Sequence, residues 1–438
     1  MSKASKAAKK LLAKLNALQC HFTWSLDPKE SKLLRLRDKL EDVGSEEGNR
    51  WLGHIYNLRG FIQHKLGLHD DAQRLFNQAA EAFHRMRPAD QGPWLVVNYG
   101  NLAWLHHHLG DQEQSQAYLS QVDALMEKYP PPSQGELHAE VCAEKAWTLM
   151  KFGEKKKEEA AECFEKAVSM RPDMVEWNSS HIIGLVQVHK HSSRGVETDL
   201  LRRMRQAKDQ DPENLYLAAL YLMHLGRRGE EVAEKARQLG GQILRRPVSS
   251  YSGIKPILRV YSQHVPIDEA VDLAEEALKK HPEERYLKRC AALCYKWKIL
   301  FHRDSCPRPG MMDRAISLHR EVISLYPHSS FVKKMDLASI YARSTGGKAK
   351  AEQIFQKLLR GDLQPAEKQV LYHHFAKHLH FNKQDHHGSI QFHMRAAGIP
   401  VKSFYRDESI AALRKIKDTT VWNRRSKDIE EFLVKLEA

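Results

Sequence analysis

Cysteine is scarce in this chain, with six among 438 residues. Cys20, Cys142, Cys163, Cys290, Cys294 and Cys306 include no CxxC pair, and several fall inside apolar helical patterns. That spacing fits free thiols in a reducing cytosol better than a disulfide framework. Long apolar runs are also missing, so no stretch reaches the length of a membrane span and no membrane partner is expected. The N-terminus, MSKASKAAKKLLAKL, lacks arginine and a secretory apolar core, so it reads as a first helix rather than a targeting segment. No strand-like alternation of useful length occurs. There is no GxxxxGK[ST] loop, GxSxG elbow, HExxH helix or paired-carboxylate motif. His106, His107 and His108 are consecutive, so they cannot all face one metal, and His374 and His378 have helical ligand spacing with no accompanying motif. The chain therefore reads as a non-enzyme with no cofactor and no metal. Acidic residues are in deficit, 55 against 69 lysines and arginines, which leaves a net charge of +14 and points to an anionic partner.

What the chain does have is a repeat. Pro212, Pro247 and Pro282 are 35 residues apart, with Pro172 lying 40 before the first and Pro327 lying 45 after the last. Small and aromatic residues recur between them: Ala72, Phe76, Ala79; Ala160, Phe164, Ala167; Ala270, Ala274, Ala277; Ala351, Phe355, Leu358. This is the tetratricopeptide pattern A-x3-F-x2-A followed by proline. Small side chains let two helices approach closely, and a helix pair that cannot bury its apolar face alone stacks on its neighbours. The expected fold is an all-α tetratricopeptide-repeat superhelix, an α-solenoid of about nine helix pairs between Tyr56 and Pro400. A proline is expected to start each following helix, and Gly67, Gly110, Gly153 and Gly226 to close first helices. Connectors are expected at 88–93, 129–135, 191–195 and 302–310.

The concave wall of a solenoid is its usual binding surface. Repeat register, counted from the small residue Ala146, puts Trp147 and Lys151 on that wall. The same count elsewhere gives Ile183 and Gln187, then Lys255 and Arg259, then Tyr286, Arg289 and Lys296, then Phe331, Lys334 and Arg343. Cations and aromatic rings thus share one channel. Such a channel suits single-stranded nucleic acid, with cations for phosphates and π-faces for bases. It also suits an acidic peptide, and the spacing alone leaves both readings open: an RNA binder, or a protein-interaction scaffold or co-chaperone.

Particular segments carry a resemblance. CHFTWSL (Cys20 to Leu26), YNLRGFIQHKLG (Tyr56 to Gly67) and CAEKAWTLMKFG (Cys142 to Gly153) are similar to the interferon-induced proteins with tetratricopeptide repeats. The similarity continues through FEKAV (Phe164 to Val168), DPENLY (Asp211 to Tyr216) and ALCYK (Ala292 to Lys296). It implies a cytoplasmic antiviral effector that sequesters single-stranded viral RNA by its 5′ end, either a 5′-triphosphate or a cap lacking 2′-O-methylation. Other family members are implied as further partners, through repeat contacts.

By that resemblance Lys39, Lys151, Gln187, Lys255 and Arg289 are expected to bind the 5′ phosphates. Trp147, Glu176, Ile183, Asn214 and Tyr216 are expected to stack on or line a cap or base. Tyr251, Arg259, Tyr286, Phe331 and Lys334 are expected along the RNA channel. Several positions depart from the family: Gln187 replaces an arginine, Ser252 a tyrosine with Tyr251 adjacent, Lys157 a tyrosine, Lys255 an arginine and Arg289 a histidine. Lysine cannot reproduce a bidentate arginine fork, so the phosphate geometry must differ. The implied organisation is a helical cap at residues 1–50, an array at 51–240 forming the end pocket, and an array at 241–438 closing the groove.

Overall fold

The computed structural model describes residues 3–26, 28–44, 49–87, 92–133, 135–188, 198–302, 310–419 and 424–437. Among them every regular element is helical. Two helices come first, α1 (Lys3–Ala17) and α2 (Glu30–Leu40). Nine hairpins follow in order: α3 (Leu52–Lys65) with α4 (His69–Met86), α5 (Val96–His108) with α6 (Gln112–Lys128), α7 (Ala139–Leu149) with α8 (Glu154–Met170), α9 (Val175–Val188) with α10 (Thr198–Gln210), and α11 (Leu215–Arg227) with α12 (Ala233–Ile243). The rest are α13 (Ile254–His264) with α14 (Ile267–Lys280), α15 (Arg285–Phe301) with α16 (Met311–Leu325), α17 (Phe331–Arg343) with α18 (Lys348–Leu359), and α19 (Pro365–His378) with α20 (His386–Gly398). α21 (Phe404–Thr419) and α22 (Arg424–Glu437) end the chain. First helices of successive hairpins touch, as α3 with α5, α11 with α13 and α15 with α17 do, so the fold is the all-α solenoid that the repeat predicts.

The small-residue positions do what close packing asks of them. Ala72, Phe76, Ala79, Ala160, Phe164, Ala167, Ala270, Ala351 and Phe355 are all fully buried. Gly60 shows how tight the fit is, since a Cβ there would lie 2.6 Å from the Phe76 ring.

The prolines act differently from expectation. Pro172, Pro212, Pro282 and Pro327 each stand two residues after the last residue of a second helix, and the next helix begins only three or four residues later. The residue before a proline is pushed out of the α region, so these prolines stop one helix rather than start the next. Gly67 and Gly110 close α3 and α5 with φ of 79° and 81°, which suits glycine. Gly153 instead stands at the start of α8, and Gly226 lies inside α11, whose turn is made at Gly229. Within the expected connectors, residues 88–91, 134, 191–195 and 303–309 lie outside the described residues, as does Cys306. The other five cysteines are free thiols.

The segment CHFTWSL ties α1 to the stack. The Thr23 hydroxyl donates to the Leu18 carbonyl at 2.6 Å and accepts from the Cys20 N–H at 3.1 Å, folding the chain back after α1. His21 is then fully buried between α5 and α7. Its backbone N–H donates to Asn101 Oδ1, which orients that amide so that Asn101 Nδ2 donates to His21 Nδ1, both at 3.1 Å. Nε2 therefore carries the imidazole proton and donates to Thr148 Oγ1, also at 3.1 Å. Burial lowers the His21 pKa to about 3, so the ring stays neutral and the arrangement is fixed. A second buried relay runs from Asn98 through Asn57 to Glu144, each link 2.8 Å, and joins α5, α3 and α7.

The chain divides into two compact units, Met1–Leu273 and Ala274–Ala438. In the first, the backbone N–H of Ser250, ahead of α13, donates to the carbonyl of Asp42, just after α2, at 2.7 Å. His21→Leu should orphan Asn101 and Thr148 in the core of this unit at a cost of about 2–4 kcal/mol. Thermal unfolding followed by circular dichroism should show a midpoint several degrees lower. A midpoint within about one degree of the parent would contradict the buried relay.

Candidate functional site

α7 stops at Leu149, and Lys151 follows in a turn whose N–H donates to the Thr148 carbonyl at 2.9 Å. Thr148 is the residue held by His21, so the turn carrying Lys151 is anchored to the core through its neighbour. From there the Lys151 ammonium lies 4.1 Å from the Trp147 ring centroid and 5.1 Å from that of Tyr251, and it donates a hydrogen bond to the Tyr251 hydroxyl. Trp147 in turn lies against Trp51, nearly parallel at 6.0 Å and 17°. Tyr216 meets Tyr251 edge-on at 5.6 Å. The Lys151 side chain keeps some contact with water, but protein walls it in, and no carboxylate pairs with it among the described residues. Burial pushes its pKa down to about 7. The same enclosure raises the Tyr216 phenol to about 12 and the Tyr251 phenol further still.

Tyr251 reaches this place from the loop ahead of α13. Gly253 lets the loop turn with φ of 91°, and a Cβ there would come within 2.8 Å of the Leu215 carbonyl oxygen. Arg259, on α13, lies near enough to Tyr216 to bias its titration. Lys255 is one turn earlier on the same helix, half-buried like Arg259. Lys32, on α2, sits 5.4 Å from the Phe152 ring, and burial lowers its pKa too. The first unit thus sets Lys151 between the Trp147 and Tyr251 rings, with no carboxylate partner among the described residues.

The chain is similar to known proteins over most of its length. Tetratricopeptide repeat models match residues 51–128 and 139–174. The human antiviral innate immune response effector IFIT1 is 26% identical across 97% of this chain and 91% of its own length. Mouse interferon-induced protein with tetratricopeptide repeats 3 is 30% identical across 61% of this chain and 65% of its own. A solved human IFIT1 dimer with PPP-AAAA superimposes with a TM-score of 0.71 at 26% identity, covering 98% of this chain and 95% of that one. Over nearly its whole length this chain resembles the interferon-induced proteins with tetratricopeptide repeats.

Not every residue expected from the family stands open to a ligand. Trp147 is only 3% exposed, enclosed by Trp51 and the Lys151 ammonium. Glu176 is buried, with one oxygen 2.7 Å from Arg87 and the other 3.4 Å from Arg50. Arg87 in turn lies 4.4 Å over the Trp94 ring. Ile183 is buried in α9. Asn214 caps α11, accepting from the Leu217 N–H at 3.0 Å and donating to Asp211 at 3.1 Å. Tyr216 is half-buried, and Tyr251 is 37% exposed. Gln187 is half-buried in the last turn of α9, and Lys39 is exposed near the end of α2.

The remaining expected residues belong to the second unit. Arg289 lies 5.2 Å from the Tyr326 ring, and Tyr286 is buried beside it in α15. Phe331 and Lys334 are half-buried on α17. Here the cations have a counter-ion: Asp336, 1% exposed, stands 2.7 Å from Lys296 and 3.3 Å from Lys333. Those two lysines hold the Asp336 carboxyl down to about 2, against burial, which acts the other way.

Trp51, Lys32 and Arg87 were not found by counting along repeats. Trp51 and Lys32 precede the first repeat or lie at its edge, and Arg87 ends a second helix, which the count places away from the wall. The tryptophan opening WLGHIYNLRG was the one signal available. The titration of Lys151 is directly observable by NMR of selectively labelled lysine. Its midpoint should fall near 7, while ordinary lysines titrate near 10.4. Between those values the unfolded chain holds its proton more tightly. The cost of this group to stability is therefore full below pH 7 and fades as the pH rises through that window. A Lys151 midpoint at 10 or above would contradict the enclosed, unpaired ammonium.

Proposed function

We propose that this protein is an antiviral innate-immunity effector that binds and sequesters single-stranded viral RNA through its 5′ end, without catalytic turnover. The terminal phosphates, from a triphosphate or from a cap lacking 2′-O-methylation, sit on Lys151, with Lys255 and Arg259 beside them. Residues 1–50 act as a cap, and the repeats of 51–240 form the end pocket together with Tyr251, Lys255 and Arg259. The protein acts in the cytosol. Among the described residues no helix is long and apolar enough to cross a membrane.

The observation that carries this reading is the Lys151 ammonium, which has aromatic rings and a phenol for neighbours and, among the described residues, no carboxylate. A polyanion arriving there gains a charge-assisted contact in a partly dry setting without first breaking an ion pair. An acidic-peptide receptor needs only the cations, whereas base stacking uses the exposed ring of Tyr251. The solved human IFIT1 dimer with PPP-AAAA, over nearly the whole length, supports RNA over peptide.

Lys151→Glu should remove RNA binding by about 30-fold or more, since losing a desolvated charged contact costs about 2–5 kcal/mol and reversal adds repulsion. Far-UV circular dichroism should be unchanged. A folded Lys151→Glu protein that binds single-stranded 5′-triphosphate RNA as the parent does would remove the phosphate pocket.

A further inference from the structure

A second concentration of charge lies on α15, α17 and α19, the first helices of three successive hairpins in the second unit, which touch in that order. The Asp336 carboxylate forms its floor. It is 1% exposed, with Lys296 of α15 at 2.7 Å from one oxygen and Lys333 of α17 at 3.3 Å from the other. α19 adds His374 and Lys377, each near enough to Lys296 to feel its charge. Burial holds the His374 pKa at about 4, so the ring is neutral at pH 7. Its Nε2 is buried with no hydrogen-bond partner among the described residues. Lys377 stays exposed, although the protein around it lowers its pKa. At the edge, Arg289 adds a cation near Lys333, and the exposed Glu408 of α21 partly offsets Lys377. The Tyr405 phenol, also on α21, lies near Asp336.

Three ammonium groups against one carboxylate leave this cluster with two positive charges in surplus. Asp336 sets Lys296 and Lys333 side by side, and each ammonium has three donors, so both keep N–H bonds for another acceptor. Burial lowers the pKa of Lys333 and Lys377, so both are favoured by an anion's arrival. The unpartnered His374 nitrogen gains a partner in the same event. The rings nearby are packed away. Tyr326 is 1% exposed beneath Arg285, and Tyr405 lies against His373 and His374. A nucleic-acid base would gain little there, whereas a compact oxyanion would gain from every donor. Charge then separates the oxyanions. A carboxylate or a phosphodiester carries one negative charge, but a phosphate monoester carries nearly two at pH 7 and has three terminal oxygens. We propose that Lys296, Lys333, Lys377 and His374, gathered around Asp336, form a binding site for a phosphate monoester. All of its residues belong to the second unit, so the site owes nothing to the Lys151 pocket.

Titration calorimetry of the full chain with inorganic phosphate at pH 7.5 tests the site, in the Lys151→Glu protein so that the first unit's pocket does not contribute. One equivalent should bind. Sulfate, a tetrahedral dianion, should displace it, and acetate should not. Lys377→Gln, at an exposed position that leaves Asp336 and its two lysines in place, should weaken phosphate by about tenfold or more, the scale of one charged hydrogen bond. Lys377→Arg should retain it. Free phosphoserine and a phosphoserine peptide with neutral flanks then distinguish the sources. Tighter binding of the peptide assigns the site to a phosphorylated protein segment, and equal or weaker binding assigns it to small phosphorylated molecules. Phosphate bound no better than acetate, or binding unaltered by Lys377→Gln, would overturn the site. So would displacement of phosphate by 5′-hydroxyl single-stranded RNA at an equal concentration of phosphate groups, since that RNA carries only diesters and would mark the cluster as a strand path.

Discussion

The Lys151 ammonium, which has no counter-ion among the described residues, organises the candidate site. Lysine is rarely enclosed unless paired, because the charged form loses its hydration. Lys151 is enclosed by rings and one phenol, and its pKa drops to about 7 in consequence. The group can be kept there only if its surroundings are held rigidly. α7 ends one residue before its cap, His21 pins Thr148, Trp51 backs Trp147, and the Gly253 loop brings Tyr251 across from a distant part of the sequence. Each of these devices costs something locally, such as a buried imidazole or a left-handed turn. Together they leave one strongly anion-seeking position.

Several carboxylates elsewhere are paired conventionally. Glu176 is satisfied by two arginines, Glu275 by Arg314 and the Tyr295 hydroxyl, and Asp336 by two lysines. Cations in the second unit are therefore partly neutralised before any ligand arrives, which lowers what each could contribute. The contrast gives Lys151 its weight in the functional reading: the net charge of +14 is general, but an unpaired, partly dry ammonium is local.

The solenoid was legible because its packing rule is a residue-size rule. Ala72, Phe76 and Ala79 recur in kind at Ala160, Phe164 and Ala167, and all are fully buried. The role of the prolines was misjudged, because a proline signals that one helix ends as strongly as that another begins, and spacing alone does not choose between these. Family resemblance named Lys151, Trp147 and Tyr251, and the structure brings those three together. The engagement of Trp147, Glu176 and Asn214 could not be read in advance. It depends on Trp51, Arg87, Arg50 and Asp211, partners far away in sequence or playing capping roles that a wall count ignores.

A lysine poised near pH 7 must take up a proton when a phosphate settles on it, because the anion raises its pKa back toward the ordinary value. Calorimetry of 5′-triphosphate RNA binding at pH 8, in buffers of different ionisation enthalpy, counts that proton. The account predicts uptake approaching one proton per RNA, and its loss in Lys151→Arg, whose guanidinium is already charged. Binding with no proton uptake, unaltered in Lys151→Arg, would contradict it.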